Sequence, residues 1–344
     1  MPSTGVCVMP INSLMERIAM APIMCDGAMK TQLVTEGFRR GLIATREYTF
    51  STAQWNLEHP EVVAAVHQSY LEAGSELILT NTFKASAFHM LNIGHSKTLS
   101  NAAHESVKMI DAATRIARRT CGDSAFVLGD IGHVISHMQG PYQQDMKLLG
   151  EEFKRQAQAM RDAGADAIIV EYIADPHEMA MAVTASKQVA DWPVIATAVF
   201  TKGTESGLND YRTHRSDQTN EVAGIKLDEM IRVAVEAGAD VIGAHCGSLL
   251  NLTDYLALSK QIIDSPYRPE HMPVLIQPNV LETDKPASNM TQPEQSQVLT
   301  KIVCQFLDLG VRILGGCCGT TPQDIHAMTH AMRGYCKSNN ASSI

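Results

Sequence analysis

The stretch Asp162-Ala163-Gly164-Ala165-Asp166-Ala167-Ile168-Ile169-Val170-Glu171 decides the fold. A helical pattern ends at a glycine, which takes the left-handed position just past a helix terminus without steric cost. An unbroken apolar run follows almost at once. That is how a short connection leads into a strand buried on both faces. The same punctuation returns in Glu72-Ala73-Gly74-Ser75, Glu236-Ala237-Gly238-Ala239 and Asp308-Leu309-Gly310-Val311. Apolar runs occupy 21–25, 77–80, 126–129, 167–170, 193–198, 240–244, 273–276 and 311–314. Helical patterns lie between them over 60–74, 100–119, 150–164, 176–190, 227–238, 252–263 and 293–310. Strands alternating with helices in this number predict an α/β fold, a single-domain (β/α)8 TIM barrel. An open doubly wound sheet is disfavoured, because no Gly-x-Gly-x-x-Gly follows the first strand.

The barrel is expected over 21–336, after an extension at 1–20 and before a polar, disordered tail at 337–344. Loops are expected at 133–147 and 201–224, either as binding loops or lids or as solvated insertions. A chain of 344 residues with 45% apolar content has ample material for one large core. The formal net charge of −9, without a basic cluster, argues against nucleic acid and anionic membranes as partners. No segment reaches the roughly 18 apolar residues of a membrane span, and 1–20 has no apolar core of signal-peptide length. Eight cysteines scattered through the chain do not look like a disulfide framework, so a reducing cytoplasm is the expected setting.

Three of those cysteines stand apart. Gly315-Gly316-Cys317-Cys318-Gly319-Thr320-Thr321-Pro322 closes the last apolar run, and Val241-Ile242-Gly243-Ala244-His245-Cys246-Gly247 closes the sixth. Adjacent cysteines do not easily bridge each other, yet both can ligate one ion where glycines let the chain turn. Cys246 supplies a third thiolate, and three ligands leave the open position of a catalytic zinc site. A lone cysteine is more often mere packing; this spacing at two strand ends is not.

A barrel carries its site at the C-terminal strand ends. Those ends read Asp26, Asn81 with Thr82, Asp130, Glu171, Phe200, His245 with Cys246, Gln277 with Asn279, then Cys317 and Cys318. A thiolate-rich metal centre suits holding a substrate thiol as thiolate, and attack on an activated carbon follows, methyl transfer being the simplest case. Asp26 and Glu171 then suit the ammonium of an amino-acid thiol. Strand alternation is expected to turn His245 away from the metal, as a packed residue or one that supports a ligand.

The motifs Asp26-Gly27-Ala28-Met29, Thr80-Asn81-Thr82-Phe83, Gly243-x-x-Cys246-Gly247 and Gly315-Gly316-Cys317-Cys318-Gly319-Thr320 together resemble those of the zinc-dependent homocysteine S-methyltransferases. The resemblance runs from about residue 26 to 328. It implies a (β/α)8 barrel, zinc on Cys246, Cys317 and Cys318, and homocysteine bound by Asp26 and Glu171. Tyr172, Asn81, Thr82 and Gln277 complete the expected substrate-binding set. Glu58-His59-Pro60-Glu61, Glu171-Tyr172 and Ile276-Gln277-Pro278 are most similar to betaine-using members. Lys30, Lys84, His133 and His245 depart from the family pattern. Trp55, Phe83, Tyr142 and Tyr172 are the rings available to a cationic donor. The implied reaction moves methyl from an onium donor, betaine or a sulfonium such as S-methylmethionine, to homocysteine in the cytoplasm, giving methionine. A corrinoid or folate partner, another acceptor thiol, or a non-catalytic zinc-binding barrel are the alternatives, and assembly into a homo-oligomer stays open.

Overall fold

A computed structural model describes residues 13–44, 52–143, 145–202, 211–213, 224–247, 250–279 and 292–341. Its strands are β1 (Ile23–Met24), β2 (Leu77–Leu79), β3 (Phe126–Ile131), β4 (Ala167–Ile173), β5 (Val194–Ala198), β6 (Phe200–Lys202), β7 (Tyr211–Thr213), β8 (Val241–His245), β9 (Val274–Gln277) and β10 (Ile313–Leu314). Eight of them form one parallel sheet in the order β1-β10-β9-β8-β5-β4-β3-β2. A parallel bridge from Cys25 to Leu77 joins its two ends. Asp26 N–H donates to Leu77 O at 3.0 Å and Glu76 N–H to Met24 O at 2.8 Å, so the ladder runs round as a (β/α)8 barrel. All eight expected strands are present. The glycines that announced them, Gly74, Gly164, Gly238 and Gly310, lie at φ between 97° and 99° just past their helices.

Alternation along the strands divides the core in two. Ile23, Leu77, Leu128, Ile169, Ile195 and Leu275 belong to a cluster that fills the barrel. Met24, Ile78, Val127, Ile168, Ile242 and Ile276 belong to the cluster that includes the surrounding helices. Toward the strand C-termini the inward positions turn polar, with buried Asp130, Glu171, Thr197, His245 and Gln277. The floor is sealed differently. A helix over Leu14–Met20, capped by Ser13, buries Leu14 and Ile18 in the barrel-filling cluster. Part of the expected extension is therefore a plug; residues 1–12 lie outside the described residues. Arg312 ties the plug down through the carbonyl oxygens of Ile18 and Ala19 at 2.7 and 3.1 Å. A cavity of about 680 Å³ opens beside it, at the end of the barrel away from the polar layer, lined in part by Met15, Ile18 and Arg268.

Other elements differ from expectation. The stretch 201–224 is not a plain loop, because β6 and β7 pair antiparallel with Lys202 opposite Tyr211; 203–210 and 214–223 lie outside the described residues. The loop after β3 holds two 3-10 turns, Ile135–His137 and Gly140–Tyr142. The last helix, Pro322–Ala341, runs past Lys337 where a disordered tail was expected; 342–344 lie outside the described residues. Among the described residues no helix is long and apolar enough to cross a membrane.

The plug can be tested by truncation. Ile18→Ala should lower stability by about 2–4 kcal/mol, the usual cost of an aliphatic core truncation. It should leave the strand-end cysteines at the far end of the barrel as reactive toward a thiol reagent as in wild type. A denaturant midpoint equal to wild type would show that the plug does not carry the floor.

Candidate active site

Two backbone irregularities build the site. Between β4 and β5 the register steps from Val170–Ala196 to Ile173–Ala198, so β4 carries one extra residue. At this bulge Tyr172 has φ +62°. At the end of β8, Cys246 has φ +59°. A bulky residue rarely enters the left-handed region, and each instance costs on the order of 1–2 kcal/mol. Inward alternation already aims Glu171 and His245 into the barrel. The left-handed turn then brings Cys246 to the same space instead of sending it outward. The expectation for His245 is thereby corrected: it faces the cluster, with Nε2 3.1 Å from Cys317 Sγ.

The Sγ atoms of Cys246, Cys317 and Cys318 all lie within 4.8 Å of one another, the sole such group of potential ligand atoms among the described residues. Cys317 and Cys318 are 3.8 Å apart. Sulfurs bound at about 2.3 Å around one tetrahedral ion sit about 3.8 Å apart, so the donor set fits a thiophilic metal with one position open. The turn that makes this possible is held by backbone contacts. Gly316 N–H donates to Asp26 O at 3.0 Å and Cys317 N–H to Pro278 O at 2.9 Å. A Cβ at Gly316 would lie 2.3 Å from the Thr320 side chain, so no larger residue fits. Thr321 and Asp324 then start the next helix through reciprocal side-chain to backbone bonds. Hydrogen bonds from Cys246 and Cys317 hold the Cys318 thiol well below its ordinary pKa. Hydrogen bonds with Cys246 and Cys318 push Cys317 well above it. Ionisation of one thiol thus opposes ionisation of its neighbours, and a metal held by all three would displace their protons.

Three carboxyls stand next to it. Burial pushes Asp26 up to about 7, although Leu79 N–H donates to its Oδ2 at 2.9 Å. Burial, then the charge of Asp26, pushes Glu171 up to about 8. Burial and the two other acids raise Asp130 well above its ordinary value, and it shares a hydrogen bond with Glu171. His245 Nδ1 lies 2.9 Å from Gln277 Oε1 and 3.1 Å from Glu171 Oε2. Burial lowers His245 to about 4, so its ring is neutral. Glu171 Oε2 keeps no hydrogen bond, and neither does Asp130 Oδ1. Acceptors of this kind in a buried space favour an incoming cation with N–H groups.

The other expected residues are near but largely engaged. Asn81 donates to Thr52 O at 2.7 Å and to Asn56 Oδ1 at 3.0 Å. Thr82, fully buried, donates to Asp130 O at 2.6 Å and meets Thr80 Oγ1 at 2.7 Å. Both tie β2 to its neighbours. Gln277 bridges His245 and Cys25. Of the rings, Phe83 and Tyr172 meet at 6.0 Å between centroids, whereas Tyr142 packs on Phe88 and Trp55 covers Gly37. His133 joins the first pair at 5.4 and 5.8 Å, and His137 and His89 continue the file. The acidic partner Asp130 was visible as a strand end; the histidine file carried no motif. Lys30 lies within electrostatic reach of Lys84 and Cys318, and burial lowers its pKa.

A family model described as homocysteine S-methyltransferase matches residues 23–332. Methionine synthase of Mycobacterium leprae is 26% identical over 339 residues, which cover 93% of this chain and 25% of that protein. This chain thus spans about a quarter of the methionine synthases it matches. Betaine–homocysteine S-methyltransferase 1 of Danio rerio is 26% identical, covering 86% of this chain and 71% of that one. The metallated form of the homocysteine methyltransferase MmuM from Escherichia coli superposes with a TM-score of 0.66 at 20% identity, over 90% and 96% of the two chains, a likeness of fold.

The acids make a pH prediction. A carboxyl whose folded pKa lies above its unfolded one contributes stability at low pH and loses it as pH rises through the folded value. Asp26, moved from 3.8 to about 7, should cost the metal-free protein stability across that window. Asp26→Asn cannot ionise. It should melt a few degrees above wild type at about pH 8 and no higher at about pH 4, a shift set by roughly 1 kcal/mol or more. Wild type melting higher at the alkaline end would contradict the assignment.

Proposed function

The chain belongs to the homocysteine S-methyltransferase family, and we propose that it moves a methyl group from an onium donor to the sulfur of homocysteine, giving methionine. The observation that carries this reading is a cluster of three sulfurs within 4.8 Å set beside three buried acids, a seat for a thiol next to a seat for an ammonium. A zinc ion on Cys246, Cys317 and Cys318 would supply an open position at which the acceptor sulfur is deprotonated and nucleophilic. Asp26, Asp130 and Glu171 accept the substrate ammonium, which neutralises the charge that burial penalises. Gln277 and His245 brace this wall, the ring filling the space between Glu171 and Cys317.

The rings of Phe83, Tyr172 and His133 offer π faces to the cationic donor. Lys30 and Lys84 suit a carboxylate on the same donor, as betaine and S-methylmethionine have. In the transfer step a sulfur lone pair forms the new S–CH3 bond as the C–N or C–S bond of the donor breaks. The electron pair stays on the donor heteroatom, which leaves as a neutral amine or sulfide, and the thiol proton has already passed to solvent. No general acid is needed, so the protein's task is to align methyl and sulfur.

Purified protein with zinc, homocysteine and, in turn, betaine, S-methylmethionine or dimethylsulfoniopropionate should form methionine with at least one donor. No methionine from any of them would sink the onium reading. Cys246→Ser, Cys317→Ser and Cys318→Ser should each lose zinc and at least about 30-fold in activity, since a free thiol at neutral pH is only a few per cent thiolate. Their thermal midpoints should stay close to wild type, because the barrel core carries the fold. Asp26→Ala and Glu171→Ala should keep zinc and raise the KM for homocysteine.

A further inference from the structure

Glu178 is a fully buried carboxylate with no part in the reaction described above. It sits in the first turn of the helix Pro176–Val189, three residues after the N-cap Asp175, which accepts Glu178 N–H at 2.9 Å. A glutamate at this position commonly turns back to the N-cap backbone. Here its Oε1 reaches to another loop and accepts Val134 N–H at 2.5 Å and Ile135 N–H at 2.7 Å. Those amides follow His133 directly. Glu178 also belongs to the same strand–helix unit as Glu171 and Tyr172. The carboxylate is therefore a strut from the unit that carries Tyr172 to the loop that carries His133.

What the strut holds is a wall of three rings from three successive strand ends. Phe83, His133 and Tyr172 stand 5.4, 5.8 and 6.0 Å apart between centroids. At such spacing the rings touch one another, so a cation meets their common surface and cannot slip between them. The backbone at Gly132 is part of this contact, because a Cβ there would lie 2.4 Å from Phe83 O and 2.6 Å from its ring. Tyr172 is fixed by the bulge in its strand. His133 stands past the end of β3, and the next two amides of its loop are the ones that Glu178 accepts.

We infer that Glu178 is a positioning residue for donor selectivity: it holds His133 against Phe83 and Tyr172, and so shapes the surface that the donor's methyl-bearing cation meets. The inference rests on the reading of these rings as donor-facing. Tyr172 adjoins Glu171, so the ring surface begins where the seat for the acceptor's ammonium ends.

The test compares Glu178→Ala, Glu178→Gln and His133→Ala with wild type in the zinc-loaded protein. Betaine and S-methylmethionine binding is followed by calorimetry, and both substrates' KM values by turnover. Glu178→Ala and His133→Ala should each weaken donor binding about tenfold, the loss of one cation–π contact of ordinary strength. They should alter the ratio between the two donors and leave zinc content and the KM for homocysteine near wild type. Glu178→Gln, which keeps an acceptor oxygen, should recover most of the loss. Equal changes in both substrates' KM values, or unchanged donor binding, would overturn the inference. If Glu178→Ala does not fold, the His133→Ala and Glu178→Gln results decide. Donor binding in the wild type without any methionine would sink the methyl-transfer reading alone; no donor binding in the wild type would overturn the inference too.

Discussion

The seam between the two ends of the barrel sequence is the interaction on which the site depends. β1 and β10 pair over Ile23–Ile313 and Met24–Leu314 alone. Short as it is, this contact sets Asp26 beside the loop of Cys317 and Cys318. Further bonds reinforce it across the same gap in sequence. Gly316 N–H reaches Asp26 O, and the buried Tyr70 hydroxyl lies 3.2 Å from Ala28 O and 3.0 Å from Thr320 O. Arg312 adds a tie at the lower edge, to the plug helix. Acid and thiol therefore share one rigid frame, and a shift of either strand would part the one from the other.

That frame keeps three acids where water would serve them better. Each is raised above its ordinary pKa chiefly by burial. The polar layer sits on a deep apolar one of isoleucine, leucine and valine, so the fold has stability to spare at the floor and spends it at the mouth. The engaged residues Asn81 and Thr82 show the other half of this design. They tie β2 to its neighbours and leave Asp130 Oδ1 and Glu171 Oε2 among the acceptors still open to a ligand.

The barrel was legible because the strands repeat one pattern of short connection and apolar run, in several cases announced by a glycine. The thiol cluster was legible because glycines flanking paired cysteines, with a third cysteine at another strand end, match the donor count of an open metal site. What escaped was long-range or conformational. The plug helix is short, and its pattern of Leu14 and Ile18 has meaning only once a barrel floor exists to receive it. The β6–β7 hairpin lies in a polar stretch with no alternating apolar pattern. Alternation counted from the metal turns His245 away; counted from the barrel axis it points inward, and the left-handed Cys246 is the exception. The partners of Glu178 lie more than forty positions away in the chain, beyond any local motif.

Tyr172 and Cys246, the left-handed non-glycine residues among the described residues, set a limit on how this protein can be improved. Glycine would relax either backbone by about 1 kcal/mol or more. A selection that rewards heat resistance alone would favour it at both positions. Yet one carries a ring of the proposed donor wall, and the other one of the three sulfurs. Robustness and use thus pull in opposite directions at these two residues. A library screened only for folded protein would drift toward a sounder barrel with an idle mouth.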